Sequence, residues 1–127
     1  DYILVQGDTT SGLVGALVGF YNQVPIGHIE AGLRTGNIYS PFPEEANRKL
    51  IGTMSEINFA ATEVNRENLL KENYDEKKIL VTGNTVIDAL LWVKENKVLD
   101  LEKIKEKYNL SNKKYIMMTM HRRENWE

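Results

Sequence analysis

The sequence has 127 residues, of which 42% are hydrophobic and 27% charged, and its formal net charge is −2. This size and composition predict an ordinary globular domain, and the small net charge gives no reason to expect nucleic acid or an anionic membrane as a partner. Cysteine does not occur, which excludes disulfides and thiolate chemistry and fits the cytoplasm. The longest apolar stretch, residues 13–21, falls short of the roughly 20 residues needed to cross a bilayer.

Apolar runs of strand length alternate with helical patterns along the whole chain. The predicted strands are 2–5, 24–29, 57–61, 78–81 and 115–120, and the predicted helices are 13–21, 43–54, 63–72, 86–97 and 101–108. This alternation predicts an α/β fold in which helices cover both faces of a parallel sheet. The apolar positions of 86–97 are too dense for a solvated helix, so we expect that helix to be buried.

A change of pattern between residues 91 and 101 divides the chain, because buried patterning there gives way to surface charge. We therefore expect residues 1–92 to belong to one domain and residues 93–127 to a linker and the start of another. The sequence opens on strand-like residues without an initiator Met and closes on a charged segment. These ends suggest an excerpt of a longer protein.

Polar residues with chemical potential follow four of the predicted strands. Asp8, Glu30, Asn84 and His121 each stand just after a strand. In an open parallel sheet, ligands bind at the carboxyl ends of the strands, so the joint placement of these residues indicates a site.

Most of the candidate residues also have a plainer, structural interpretation. Asp8 precedes a helix and could be its N-cap. Glu30 is a poor turn residue, so function is the better interpretation there. Glu44 and Glu45 open a helix, where acids favour the helix dipole. His28 lies inside a strand and is interpreted as a structural residue.

Two arginines follow His121 and differ from the acids in the chemistry they suit. Arg122 and Arg123 could bind a phosphate group, or they could form a surface ion-pair cluster. The glycine-rich segment 7–12 matches neither a dinucleotide-binding nor a Walker A motif. Two distant histidines make a weak case for a metal, so we predict none.

Five segments together are similar to a known family. They are Gly7-Asp-Thr-Thr10, His28-Ile-Glu-Ala-Gly-Leu-Arg-Thr-Gly36, Ser40-Pro-Phe-Pro-Glu-Glu-Ala-Asn-Arg48, Val81-Thr-Gly-Asn-Thr-Val-Ile-Asp88 and His121-Arg-Arg-Glu-Asn125. Their order and spacing resemble the non-hydrolysing UDP-N-acetylglucosamine 2-epimerases over essentially the whole chain.

The resemblance implies a fold and a reaction. The fold is GT-B-like, with two Rossmann-like domains and a site in the cleft between them, and this chain would be an internal fragment that is inactive alone. The reaction is reversible inversion at C2, converting UDP-N-acetylglucosamine into UDP-N-acetylmannosamine for surface polysaccharide. It proceeds by elimination of UDP to a 2-acetamidoglucal and re-addition on the other face. The resemblance implies a UDP-sugar substrate, no cofactor, and a homodimer as the full-length protein.

The resemblance also implies roles for residues at matching positions. Asp8, Glu30 and Glu44 match the family's catalytic carboxylates, and His121 matches its histidine near the leaving UDP. Either Glu30 or Asp8 would act as the acid/base at C2. The candidate substrate-binding residues are Asp8, Glu30, His121, Arg34, Arg122 and Arg123.

Three alternative functions remain open from the sequence. A GT-B glycosyltransferase would share the fold and the nucleotide-sugar ligand but transfer the sugar. A hydrolysing UDP-N-acetylglucosamine 2-epimerase would release free N-acetylmannosamine and UDP. A flavodoxin-like regulatory or binding module would have no catalytic use for Glu30.

Overall fold

The computed structural model describes residues 1–96 and 99–119, and the chain divides after Asn84 into two compact units. The first unit contains four strands and three helices. The strands are β1 Ile3–Gln6, β2 Ile26–Ala31, β3 Ile57–Ala60 and β4 Ile79–Val81; the helices are α1 Thr10–Tyr21, α2 Glu44–Met54 and α3 Glu63–Lys71. A short 3₁₀ helix, Glu76–Lys78, leads into β4.

All four strands are parallel and stand in the order β1-β2-β3-β4. Each neighbouring pair of strands is joined through a helix, as a parallel connection requires. This arrangement confirms the predicted α/β class. It also brings the ends of β1 and β2, where Asp8 and Glu30 were expected, to one edge of the sheet.

The helices α1, α2 and α3 pack on one face of the sheet. The register places Val5 opposite His28, His28 opposite Asn58, and Asn58 opposite Ile79, so all four share a face. Two apolar clusters form on that face: one contains Val5, Ala16, Ile26 and Ile51, and the other contains Ala31, Ala60, Leu69 and Ile79.

The opposite face carries Leu4 and Leu80, which are 61% and 48% exposed. The expectation that helices would cover both faces is therefore wrong for α1, α2 and α3. The reason is that each strand lies beside the preceding one in the same direction. A right-handed crossover then places every connecting helix on the same side of the sheet.

Threonine side chains cap two of these helices. The Thr9 hydroxyl accepts a hydrogen bond from the Gly12 amide at 3.1 Å at the start of α1. Thr62 accepts one from the Asn65 amide at the start of α3. Because Thr9 fills the N-cap position, the interpretation of Asp8 as the cap of α1 is wrong.

The second unit contains α4 Thr85–Glu95 and α5 Leu101–Lys107. Leu90 and Trp92 of α4 are 68% and 59% exposed, so the predicted burial of this helix is not found. Residues 115–119 form no strand, contrary to the prediction for 115–120, and residue 120 lies outside the described residues; the described part of the second unit contains no strand with which they could pair. No helix of the described residues has the length and apolarity to cross a membrane.

Candidate active site

Glu30 occupies an unusual backbone position at the end of β2. Its φ angle is 67°, in the left-handed region that a side chain other than glycine adopts at a cost of about 1–2 kcal/mol. The pairing of β2 with β3 shifts register between Ile29 and Ala31, so Glu30 is the extra residue of a bulge. A bulge can redirect a side chain next to an active site. Here it takes Glu30 out of the regular pattern in which successive side chains of β2 point to opposite faces of the sheet.

The redirected carboxylate lies beside the segment that follows β1. Glu30 Oε2 is 3.6 Å from where a Cβ atom would stand on Gly7, the residue directly before Asp8. Gly7 has a φ of 72°, and its amide donates to the Ile29 carbonyl at 2.9 Å. The structure thus brings together the Asp8 and Glu30 segments, as the sequence predicted.

Asp8 is held by two neighbouring residues of α2. Arg48 donates from Nε and from a terminal guanidinium nitrogen to Asp8 Oδ2, at 2.9 and 2.6 Å. The Asn47 side-chain amide donates to the Asp8 carbonyl at 2.8 Å. These contacts fix both the carboxylate and the backbone of Asp8 relative to the helix.

Glu44 and Glu45 are adjacent in the first turn of α2 but have different surroundings. Glu44 is half-buried, and its side chain makes no hydrogen bond or ion pair to a described residue. Glu45 is fully buried and binds Arg48 at 3.0 Å. The interpretation of Glu45 as a simple helix-start acid is therefore incomplete. The Glu45 and Arg48 spacing of three residues is the one sequence signal that indicates their contact.

His28 is buried, and its Nε2 lies 2.8 Å from the Gly7 carbonyl oxygen. Since a carbonyl only accepts, Nε2 carries the proton in this contact. Burial lowers the pKa of His28, partly offset by the Gly7 hydrogen bond. His28 therefore supports the backbone before Asp8, which agrees with its structural interpretation.

Arg34 is engaged away from these acids. Its guanidinium donates to both carboxylate oxygens of Glu72 at 2.8–3.0 Å, and to the Leu33 carbonyl at 2.8 Å. Only 8% of the Arg34 side chain is exposed. The hydrogen bonds from Arg34 lower the pKa of Glu72. These contacts favour a structural role for Arg34 over the substrate anchor expected from the sequence.

His121, Arg122 and Arg123 lie outside the described residues. Among the residues that are described, no group of three or more His, Cys, Asp or Glu side chains could hold a metal ion.

A parallel sheet with two acids, Asp8 and Glu30, at the ends of adjacent strands is typical of an α/β protein that binds its ligand at that edge. A model of the UDP-N-acetylglucosamine 2-epimerase family matches residues 1–127. The chain belongs to that family.

Individual relatives agree with this assignment. The UDP-N-acetylglucosamine 2-epimerase of Salmonella typhimurium is 51% identical over 132 residues, covering 99% of this chain and 35% of that protein. The Neisseria meningitidis UDP-GlcNAc 2-epimerase, solved bound to UDP-GlcNAc, aligns with a TM-score of 0.90 at 47% identity, over 98% of this chain and 34% of that one. The Methanocaldococcus jannaschii UDP-GlcNAc 2-epimerase, solved in complex with UDP-GlcNAc and UDP, aligns with a TM-score of 0.83 at 40% identity. That alignment covers 98% of this chain and 34% of the other chain.

These likenesses confirm the fold as a Rossmann-like parallel sheet of the GT-B-like type. The chain spans about a third of the length of these relatives.

Proposed function

We propose that this chain is part of a longer enzyme that converts UDP-N-acetylglucosamine reversibly into UDP-N-acetylmannosamine. A base removes the C2 proton, the C1–oxygen bond breaks, and UDP leaves with the bonding electrons. UDP then adds back to the 2-acetamidoglucal while a proton returns to C2 from the opposite face. Family membership supports this activity, and so do the relatives solved with UDP-GlcNAc.

The position of Glu30 is the observation that carries the assignment of residues. Its side chain makes no ion pair or hydrogen bond to any described residue, while the bulge directs its carboxylate toward the Asp8 segment. A strained residue that carries a free functional group is typical of an active site. We assign Glu30 as the acid/base on one face of C2, and Glu44 or Asp8 as the acid on the other.

The leaving UDP needs a proton donor or cation near the bridging oxygen. We assign that role to His121, with Arg122 and Arg123 as diphosphate ligands, because the family resemblance matches His121 to this position. We further propose a homodimer located in the cytoplasm that supplies N-acetylmannosamine for polysaccharide. The cysteine-free sequence fits that location.

The test is to incubate the full-length protein with UDP-N-acetylglucosamine in deuterated water and follow C2 by NMR. The proposal predicts deuterium at C2 and formation of UDP-N-acetylmannosamine. Glu30→Gln should lower the exchange rate by a factor of about 100 or more, because the base is removed. Glu56→Gln is a matched control, since Glu56 is an exposed acid paired with Lys78 before β3, away from the carboxyl ends.

Other outcomes separate the alternatives. Absence of C2 deuterium would overturn the proposal and leave a glycosyltransferase or a binding module. Net release of UDP with free N-acetylmannosamine would identify the hydrolysing reaction instead. Full activity of Glu30→Gln would remove Glu30 from the chemistry.

A further inference from the structure

Glu45 is a completely buried carboxylate with partners on two sides. Oε1 accepts hydrogen bonds from the Thr35 and Gly36 amides at 3.1 and 3.3 Å. Oε2 accepts one from Arg48 at 3.0 Å. A buried charge is tolerated only when it is paired and hydrogen-bonded, and these contacts meet that condition. Glu45 therefore joins α2 to the loop after β2 and to the arginine one turn along its own helix.

Arg48 binds two carboxylates with one guanidinium. One terminal nitrogen donates to Glu45, while Nε and the other terminal nitrogen donate to Asp8 Oδ2. The arginine side chain is only 13% exposed, so its surroundings restrict it to few other conformations. Because the guanidinium is planar and rigid, fixing one edge on Glu45 fixes the direction in which the other edge faces Asp8.

The same geometry leaves part of Asp8 free. Arg48 contacts Oδ2 alone, and Asp8 Oδ1 has no hydrogen-bond partner among the described residues. The Asp8 carboxylate is thus held by one oxygen and presents the other. Its orientation depends on Arg48, and the orientation of Arg48 depends on Glu45.

We propose that Glu45 is a positioning residue for Asp8 and acts through Arg48. The proposal rests on the proposed function, in which Asp8 belongs to the catalytic acids. Glu45 itself touches no substrate: its carboxylate is buried, and its three contacts are the two loop amides and the arginine.

Glu45→Gln removes the contact of residue 45 with Arg48 and keeps its contact with the loop. The remaining amide oxygen can still accept from Thr35 and Gly36, so the loop keeps its support. The new NH₂ group faces the Arg48 donor, and two donors cannot bond to each other. Arg48 then loses its fixed edge, and Asp8 moves with it.

The expected result in the full-length enzyme is a kcat lowered about 10- to 100-fold, as for a displaced catalytic group, while KM for UDP-N-acetylglucosamine changes less than about threefold. Glu45→Asp should recover part of the lost kcat, because it restores an acceptor toward Arg48. Glu72→Gln is the matched control. It also removes a carboxylate from a buried arginine but does not touch Arg48, so kcat should stay within about twofold.

A double-mutant cycle tests the link through Arg48. Arg48→Lys keeps the charge but loses the rigid planar fork that fixes Asp8 relative to Glu45, so it should lower kcat to a similar degree. The double variant should lose no more than the worse single variant, whereas independent roles would multiply the losses. If Glu45→Gln does not fold, Arg48→Lys and Glu45→Asp carry the test.

Three results overturn the inference: a Glu45→Gln enzyme with unchanged kcat, losses that multiply in the double variant, or an Arg48→Lys enzyme with unchanged kcat. Asp8→Asn distinguishes this failure from failure of the proposed function. If Asp8→Asn is inactive while Glu45→Gln is unaffected, only the inference fails. If Asp8→Asn is fully active, the catalytic assignment of Asp8 fails as well.

Discussion

Replacing Glu72 by Gln tests whether Arg34 supports the fold or binds substrate. Arg34 donates three hydrogen bonds of 2.8–3.0 Å to the Glu72 carboxylate. The two side chains are 8% and 28% exposed, so the pair lies between a surface salt bridge and a buried one. Surface pairs contribute about 0–1 kcal/mol, and breaking a buried pair costs about 3–5 kcal/mol. We therefore expect Glu72→Gln to lower the free energy of unfolding by about 2 kcal/mol.

Amide hydrogen exchange in the full-length protein measures this loss where it occurs. A loss of about 2 kcal/mol should speed exchange of the protected amides of β2 and β3 about 30-fold. The KM for UDP-N-acetylglucosamine should stay unchanged, because a structural arginine does not contact substrate. Lys49 also contacts Glu72, at 3.2 Å, and Lys49→Met is the control, with a loss below about 1 kcal/mol for an exposed partner. Unchanged exchange in Glu72→Gln together with a raised KM would refute the structural role.

Three further predictions concern the fold around the site. Glu30→Gly and Glu30→Ala should both abolish C2 exchange, but the glycine variant should be more stable by about 0.5–1 kcal/mol in urea unfolding. Glycine adopts the positive φ of this position without strain and alanine does not, so equal stability of the two variants would contradict the strain. Because the pKa of His28 is lowered, the free energy of unfolding should be highest above the ordinary pKa of 6.5 and should fall below that pH, by at most about 1.4 kcal/mol per pH unit in urea unfolding. His28→Gln should remove this dependence on pH, and an unchanged dependence in that variant would contradict the prediction. Gly32→Ala should lower the free energy of unfolding by about 3 kcal/mol, because the alanine Cβ would lie 2.3 Å from the Asn65 carbonyl oxygen. Gly36→Ala should lower it by less than about 2 kcal/mol, because no atom of the described residues lies within contact distance of a Cβ there.

The four strands and three helices of the first unit could be predicted because their signals are local. Mostly apolar segments such as 57–61 and cap residues such as Thr62 act within a few residues, and every observed end lies within three positions of the predicted one. The face on which the helices lie depends on strand order. A local pattern does not encode strand order, so the expectation of helices on both faces was wrong for α1, α2 and α3.

The site could be predicted in part for a similar reason. Asp8 and Glu30 follow strands, and the parallel sheet brings strand ends together, so their proximity follows from the fold. The burial and contacts of Glu45, on which its proposed role rests, could not be read from its position, because an acid at a helix start has an ordinary explanation in the helix dipole. Its burial results from the loop at Thr35 folding over it, which is a tertiary contact.

The contacts divide the four acids Asp8, Glu30, Glu44 and Glu45 into two pairs. Asp8 and Glu45 share the guanidinium of Arg48, whereas Glu30 and Glu44 make no ion pair to a described residue. Arg48 holds Asp8 in one orientation through Oδ2. Glu30 and Glu44 can exchange a proton without first breaking a salt bridge. They stand on different elements, a strand bulge and a helix start, and inversion at C2 requires acids that approach from two directions. On the proposed function, Glu30 would then transfer the proton on one face of C2, and either Glu44 or Asp8, which Arg48 orients, would serve the other face.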